Sequence, residues 1–411
     1  MNRINILKLT ADNVSLFSHH KFEVDFTNKI QVTNYNFDHP FYNVFSRVFL
    51  PKYIAFSGVN SSGKTTVAEM ISFFILYHIN LNSIESRECI KVLDKFYFGK
   101  DMIFTIYFEL RGKIYKVITT IGTPSEKNDL LNYSFPFVVK DEEVYVKEIN
   151  SRIPRKLLFE QDFKFVHSYA TLNEKEQKLV RGKNTSLLLI TGFASMFGTS
   201  LCEINSQYDQ VDTFGYLNVN NLPMIQYLDP SIRNIKESAR KIERKNETII
   251  TKTLLVEFEN NTKYELSPQE LYSLLSSGTR RALKILNDVR KVLRVGGYYL
   301  IDELELSLNR SIVNDIINLF ESNKTNPFNA TLIFTTHYVE LFDIFDRNDQ
   351  IFFIHRDHDY GIQITNYSDV DRKNQLKKSE SFFADTHKLG TAIEYTKYLN
   401  LVQSFIFLDE K

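Results

Sequence analysis

The sequence has 411 residues, which is too long for one small core and fits one large domain with an insertion, or two domains. Its 50 Lys and Arg side chains balance 50 Asp and Glu side chains, so charge gives no indication of DNA binding, although a local basic patch stays compatible with it. The only cysteines, Cys89 and Cys202, argue against a disulfide framework or a zinc site. No apolar run approaches the roughly 18 residues of a membrane span, and the first residues lack the apolar core of a signal peptide. We therefore expect a cytoplasmic protein without a membrane partner.

The chain opens with strand patterns, and a strand, a glycine-rich loop and a helix then follow in unbroken succession. Residues 4–9 and 21–26 have the composition of strands, the second with strict alternation. Residues 54–56 form an apolar run typical of a buried strand, and apolar residues recur at helical spacing after Thr66. The loop between them, residues 58–65, has the sequence GVNSSGKT and matches the pattern G-x-x-x-x-G-K-[ST].

This loop has the residue types that binding a triphosphate requires. Its glycines let backbone N–H groups turn towards the anion, and the following helix offers its positive N-terminal end. Lys64 is expected to reach the β- and γ-phosphates, and the Thr65 hydroxyl to bind Mg²⁺. The candidate nucleotide-binding residues of the loop are Gly58, Asn60, Ser61, Ser62, Gly63, Lys64, Thr65 and Thr66.

Strand patterns return after the loop helix. Residues 102–110 and 113–121 predict a hairpin that turns at Arg111 and Gly112, and residues 133–149 continue in the same style. We expect these strands to form an antiparallel flank on the sheet that carries the loop.

The middle of the chain is predicted to be mainly helical. Helical patterns occupy residues 172–180 and 187–197, and residues 232–244 are expected to form a charged helix with an apolar seam of Ile232, Ile235, Ala239 and Ile242. Such a seam could begin a coiled coil, but packing on the same domain is favoured because stable coiled coils need about three heptads. The predicted organisation is an N-terminal lobe, a mainly helical insertion and a C-terminal lobe, at residues 1–149, 150–246 and 247–411.

An acidic pair follows a strand pattern in the second half. Residues 297–303, GYYLIDE, form an apolar run that ends in Asp302 and Glu303. Asp302 is expected to hold Mg²⁺ through water beside Thr65, and Glu303 to polarise an attacking water as general base. Two solvated acids at an exposed strand end are the alternative, which the upstream loop disfavours.

Two further patterns bear on the phosphates. Residues 275–281, LSSGTRR, begin a helix with a second anion-binding end at Ser276, Ser277 and Gly278. One chain cannot easily place two such ends on one γ-phosphate, so two chains facing each other are indicated. Residues 331–337 predict a strand that ends in His337, on the ligand side of an open parallel sheet. A neutral imidazole there could contact the γ-phosphate or the attacking water, although a lone His is more often an ordinary surface or core residue.

These motifs resemble those of ABC-type ATPases. LSSGT is similar to the signature LSGGQ, with Ser276 at its serine and Gly278 at its second glycine, while Ser277 and Thr279 depart from it. In the same comparison, the Walker B aspartate, the catalytic glutamate and the switch histidine correspond to Asp302, Glu303 and His337.

The resemblance is closer to the small soluble AAA/ABC ATPases of bacterial anti-phage operons, which include the ATPase halves of overcoming-lysogenisation-defect (OLD-family) nucleases and of PARIS-type systems. Residues 301–310, 332–343 and 347–357 are similar to the IDEIE-SLHP, FTTH-LLD and RxDQI-F stretches, with Asn309-Arg310 in place of His-Pro. The middle of the chain is unmatched, and its candidates for a Q-loop glutamine are Gln161 and Gln207.

The resemblance implies an α/β fold, a P-loop NTPase of ABC-ATPase type, with a mixed sheet, an antiparallel flank and a largely helical insertion. It also implies ATP and Mg²⁺ as cofactors, and a homodimer or higher oligomer. Lys64 and Thr65 of one chain and Ser276 of the other would bind one γ-phosphate, and hydrolysis would separate the two.

The favoured hypothesis is a sensor or regulatory ATPase of an anti-phage defence or toxin system with a separate effector, a nuclease or a toxin. It follows from a complete ATP site without a second catalytic constellation. Asp357 and Asp359 superficially match a nuclease D-x-D, but the strand patterns at 351–355 and 361–365 favour a hairpin turn, and a closing helix is expected over 386–405.

Two other hypotheses stay open. The first is a DNA-repair or recombination clamp of the RecF/SMC kind, against which the neutral net charge and the lack of a long coiled coil count. The second is the nucleotide-binding subunit of a transporter, which the degenerate signature and the large insertion disfavour.

Overall fold

The computed structural model describes residues 3–32, 39–124, 136–149, 157–160, 162–180, 184–190, 200–203, 217, 219–244, 247–371, 377–386 and 395–406. Its strands are Asn5–Asp12 (β1), Lys21–Asp25 (β2), Phe41–Phe45 (β3), Val48–Pro51 (β4), Tyr53–Ser57 (β5), Met102–Leu110 (β6), Lys113–Gly122 (β7), Val138–Glu148 (β8), Lys164–Ser168 (β9), Leu201–Glu203 (β10), Ile232–Arg244 (β11), Glu247–Phe258 (β12), Lys263–Leu266 (β13), Tyr298–Ile301 (β14), Thr331–Thr336 (β15), Ile351–Arg356 (β16) and Ile362–Asn366 (β17). Its α-helices are Lys64–Phe74 (α1), Arg87–Phe96 (α2), Glu174–Leu179 (α3), Leu222–Leu228 (α4), Pro268–Leu274 (α5), Ser277–Val295 (α6), Arg310–Glu321 (α7), Tyr367–Val370 (α8), Lys378–Phe383 (α9) and Tyr395–Ile406 (α10).

A mixed sheet of six strands in the order β10-β14-β15-β5-β16-β17 carries the glycine loop. Its strands are parallel except for β17, which pairs antiparallel with β16. A second sheet of six strands, in the order β2-β1-β6-β7-β8-β9, is antiparallel throughout. The predicted α/β fold with a mixed sheet and an antiparallel flank is therefore confirmed.

Helix α1 lies in the core between the two sheets. Every residue of α1 except Thr65 is buried, and Met70 and Phe73 join one apolar cluster with Phe104 of the antiparallel sheet and Ile333 of the mixed sheet. The opposite face of the mixed sheet packs against α6 and α7. Strand β5 serves both cores, because Ile54 and Phe56 face the first cluster while Tyr53 and Ala55 face the second.

The helix predicted for residues 232–244 is wrong, because this segment is strand β11, which pairs antiparallel with β12. Ile232 and Ile235 are both buried, although residues three apart should point to opposite faces of a strand. The register shifts between Ile232 and Asn234, and this bulge adds the residue that turns both isoleucines to one side. A bulged strand thus produced the spacing of a helix.

Other predicted elements have mixed outcomes. The hairpins at residues 102–121 and 351–365 are present as β6-β7 and β16-β17, and the helix at 172–180 as α3. Of the helix predicted at 187–197, residues 187–190 are described, and Leu187–Leu189 is a 3-10 helix. The described part of residues 150–246 contains short helices together with the short strands β9 and β10 and the 13-residue strand β11, and the domain boundaries stay a prediction. Gln161 and Gln207 lie outside the described residues.

Within the described ranges, no helix has both the length and the apolar character that crossing a membrane requires.

Candidate nucleotide site

The glycine loop joins β5 to α1 in a conformation that its sequence permits. Gly63 has φ of 110°, a left-handed value that favours glycine, and α1 begins at the next residue. A Cβ atom on Gly58 would lie 2.2 Å from the backbone oxygen of Ile354 in β16. Both glycines are thus needed by the fold itself, before any ligand is considered.

Lys64 lies over its own loop. Its Nζ donates to the backbone oxygens of Gly58 at 2.9 Å and Val59 at 3.1 Å. Burial lowers the pKa of the Lys64 ammonium, while the carboxylates of Glu303, Asp302 and Glu305 act in the opposite direction. The charges of three acids therefore act on one lysine at the carboxyl end of the sheet.

Asp302 connects the loop helix to the neighbouring strand. Its Oδ2 accepts a hydrogen bond from the Thr65 hydroxyl at 2.8 Å, and its Oδ1 accepts one from the Thr335 hydroxyl at 2.6 Å. The Thr335 oxygen in turn accepts the backbone N–H of Glu303 at 2.7 Å. The parallel order β14-β15-β5 produces this row, because it brings the carboxyl ends of the three strands together.

Glu303 and His337 face each other at the exposed side of this row. His337 Nε2 lies 3.6 Å from Glu303 Oε1, a distance too long for a direct hydrogen bond, and the two side chains are 36% and 41% exposed. Glu303 has φ of 50°, and its backbone oxygen accepts from the guanidinium of Arg281 at 2.8 Å. The backbone N–H of His337 donates to Glu305 Oε1 at 2.5 Å.

Sequence reasoning assigned no role to Thr335, Arg281 or Glu305. Glu305 is 7% exposed and Arg281 is 2% exposed. Buried charged side chains are rare unless they are paired, so their placement beside motif residues indicates a structural role in the site. Their sequence positions could have indicated a place in the site, because each lies within four residues of a motif residue.

The oxygen donors present fit Mg²⁺ better than a softer metal. Thr65 and Asp302 offer a hydroxyl and a carboxylate, and Mg²⁺ usually takes one or two such protein ligands together with substrate phosphates and water. No group of three or more His, Cys, Asp or Glu side chains among the described residues could hold a metal ion by itself. A magnesium ion at this site would therefore depend on the nucleotide as a co-ligand.

The other predicted binding residues fall into two groups. Asn60 and Ser61 are exposed at the tip of the loop, whereas Ser62 and Thr66 are buried. Ser276 caps α6 by accepting the backbone N–H of Thr279 at 3.0 Å.

The signature segment stands apart from the loop of its own chain. Ser276 and Ser277 are exposed, and a Cβ atom on Gly278 would lie 2.5 Å from the backbone oxygen of Ser307. No hydrogen bond joins residues 276–279 to residues 58–65, two segments that the structure describes in full. The fold thus brings the loop, the acids and His337 together, and leaves the signature residues free to contact something else.

A protein-family model described as "AAA domain, putative AbiEii toxin, Type IV TA system" matches residues 54–343, which is more than half of the chain. No curated protein matches the chain. Among solved structures, the chain is similar to the Smc head domain with a coiled coil and joint from Pyrococcus yayanosii, at 9% identity and a TM-score of 0.38. That match covers 93% of this chain and 100% of the other.

Proposed function

Because the chain belongs to the family of AAA domains described with the putative AbiEii toxin of type IV TA systems, we propose that it is a P-loop ATPase that dimerises around ATP. Its biological role in this proposal is that of a sensor or regulatory subunit in an anti-phage defence or toxin system. A separate effector protein, a nuclease or a toxin, would carry out the downstream reaction.

One observation carries the proposal of ATP hydrolysis. The hydroxyl of Thr65, the carboxylate of Asp302 and the hydroxyl of Thr335 form a hydrogen-bonded row directly beside the glycine loop. A phosphate-binding loop, a hydroxyl and a carboxylate for Mg²⁺, and an acid for the attacking water are the parts that P-loop hydrolysis requires.

In the proposed reaction the residues have separate roles. Lys64 exchanges its bonds to the Gly58 and Val59 oxygens for bonds to phosphate oxygens. Thr65 and Asp302 would hold Mg²⁺, which would offset the negative charge of the phosphates. Glu303 accepts a proton from water as the water attacks the γ-phosphorus and ADP leaves.

The attacking water is proposed to contact Glu303 and His337 together. The 3.6 Å between His337 Nε2 and Glu303 Oε1 is too long for a direct hydrogen bond and too short for a water on the line that joins them, so the water would bind both atoms from their exposed side. Arg281 and Thr335 support this arrangement, since each binds a main-chain atom of Glu303. Both are positioning residues, because their bonds in the site go to protein atoms.

The second half of the site is proposed to come from another copy of the chain. Exposure of Ser276 and Ser277 supports this, as does the lack of hydrogen bonds between residues 276–279 and the loop of the same chain, both fully described. A γ-phosphate held by Lys64 of one copy and Ser276 of the other would tie the two together. Hydrolysis would release them, so the effector could detect the ATP state through the dimer.

ATP binding and sedimentation of the Glu303→Gln variant test this proposal. Glutamine keeps the size of the side chain and removes the base, so we expect hydrolysis to fall by about 100-fold or more while ATP still drives dimerisation. Glu340→Gln, the same change at an exposed side chain, should behave as wild type. A Glu303→Gln protein that bound neither ATP nor a second copy would contradict the proposal.

The regulatory role needs its own experiment. Purification of the chain from its native host, followed by identification of co-purifying molecules, should yield a nuclease or toxin protein. Co-purification of DNA instead, with salt-sensitive and ATP-dependent binding, would favour a clamp of the RecF/SMC kind.

A further inference from the structure

Helix α10 presents an apolar stripe to solvent. Residues 395, 398, 399, 402 and 405 are apolar and recur at the spacing of one helix face. The side chains of Tyr395 and Phe405 are 70% and 64% exposed, and Val402 alone among residues 395–405 is half-buried. A helix of 12 residues is marginally stable in water without tertiary packing. The stripe therefore requires a surface on which to pack.

An apolar groove of matching character lies on the same chain. Helices α4, α6 and α7 and residues 322–328 enclose a cavity of about 790 Å³. The apolar side chains that line it include Met224, Leu286, Val289, Leu293, Leu319 and Phe328. A groove between helices with an apolar floor is the usual receptor for an amphipathic helix.

The charges around the two surfaces are complementary. Arg290, Arg294 and Lys324 line the groove, and the one acid among its lining residues, Asp315, accepts a hydrogen bond from the Tyr227 hydroxyl. The sequence that flanks α10 is acidic on balance, because Glu394, Asp409 and Glu410 outnumber Lys411. The charge of Lys397 falls on the opposite helix face from the stripe by its spacing.

We propose that α10 of one copy packs into this groove of a second copy, forming an interface separate from the ATP site. The apolar stripe and the groove are both on one chain, so every copy supplies one helix and one groove. Such a contact closes a dimer if it is reciprocal, and otherwise forms a ring or an open filament.

The groove also has a direct connection to the signature segment. Helix α6 begins at Ser277, immediately after its cap Ser276, and lines the groove with Leu286, Val289 and Leu293. An α10 helix in the groove would therefore contact the element that presents Ser276. Assembly through α10 would in this way restrict the orientation of the signature.

Sedimentation of the full chain without nucleotide and with EDTA tests the interface apart from ATP-driven pairing. We expect wild type to self-associate, and Phe405→Glu to raise the dissociation constant by about tenfold or more, because a carboxylate would have to enter an apolar groove. Ser404→Glu places the same charge at the neighbouring position, on the helix face opposite the apolar stripe, and should leave association unchanged.

Mixing distinguishes helix-in-groove packing from pairing between two α10 helices. Phe328→Glu disables the groove and Phe405→Glu the helix, so each should be monomeric alone, whereas a mixture should associate through the one intact helix and the one intact groove. Retained ATP binding by both variants shows that they are folded. A monomeric wild type, normal association of Phe328→Glu, or no association in the mixture would overturn the proposal.

Discussion

Glu305 is the buried acid for which the sequence suggested no role. One of its carboxylate oxygens accepts the backbone N–H of His337, and the other, Oε2, has no hydrogen-bond partner among the described residues. A buried carboxylate without full hydrogen bonding is costly, which indicates that Glu305 is kept for its position. The simplest role is to fix the turn that carries His337 opposite Glu303.

Two substitutions of Glu305 test this positioning role. Glu305→Ala removes the acceptor for the His337 N–H and should lower kcat by about 10- to 100-fold, because misplacement of a site residue by about 1 Å has effects of this size. Glu305→Gln keeps an acceptor oxygen and should recover most of the rate, and KM should change little in either variant. Equal loss in the two variants would show that the charge of Glu305 matters, and not its bond to His337.

Elements whose signals lie close together in sequence are predicted correctly, and an element that depends on a distant partner is not. The succession of β5, glycine loop and α1 is encoded within 22 consecutive residues, and the hairpin β6-β7 by its turn at Arg111 and Gly112. Strand β11 was misjudged because its bulge gives buried isoleucines a helical spacing. Its strand conformation depends on the partner β12, which local periodicity does not reveal.

The same limit applies to the site. The acids, Lys64 and Thr65 could be predicted because each belongs to a short motif. The hydrogen bonds that Thr335 donates to Asp302 and that the His337 N–H donates to Glu305 join residues more than 30 positions apart. They arise from the strand order β14-β15-β5, which only the folded chain establishes.

Strand β8 carries a buried carboxylate, Glu142, that joins the antiparallel sheet to the π-helical turn Ile75–Ile79, which follows α1 directly. Glu142 is fully buried and accepts hydrogen bonds from Tyr77, Thr119, Ser186 and the backbone N–H of Leu187. Burial raises the pKa of Glu142 from 4.5 to about 6, against the opposite effect of these bonds. The folded state thus favours the protonated acid more than the unfolded state does.

The stability of the chain should depend on pH through Glu142. A raised pKa contributes stability that is fully present below pH 4.5 and is lost as pH rises through about 6. The free energy of unfolding of wild type minus that of Glu142→Gln should therefore fall by about 1.5 kcal/mol between pH 4.5 and 7, because one pKa unit corresponds to about 1.4 kcal/mol and part of the effect is already lost at pH 4.5. Urea denaturation at several pH values measures this difference. A constant difference, or one that rises with pH, would contradict the assignment.

At the scale of the whole molecule, helix α6 connects the signature segment, the backbone of Glu303 and the groove proposed for α10. Ser276 caps its N-terminus, Arg281 in its second turn holds the backbone of Glu303, and its C-terminal half lines the groove proposed for α10. A contact at either end of α6 would thus affect the position of Glu303 through Arg281. One chain supplies the loop, the acids and His337, and the account requires a second chain to supply Ser276.

Complementation between two inactive variants tests that requirement most directly. Lys64→Ala disables the loop, and Ser276→Arg blocks the signature. In a mixed dimer one site combines the intact loop of the second variant with the intact signature of the first. We expect an equimolar mixture to recover about a quarter of wild-type ATPase activity, since about half of the dimers are mixed and each restores one of two sites.

Lys64→Ala mixed with Glu303→Gln is the matched control and should stay inactive, because both changes affect the loop side of the site. Recovery in the first mixture alone is the predicted result, and no recovery in either would contradict an ATP site shared between two chains.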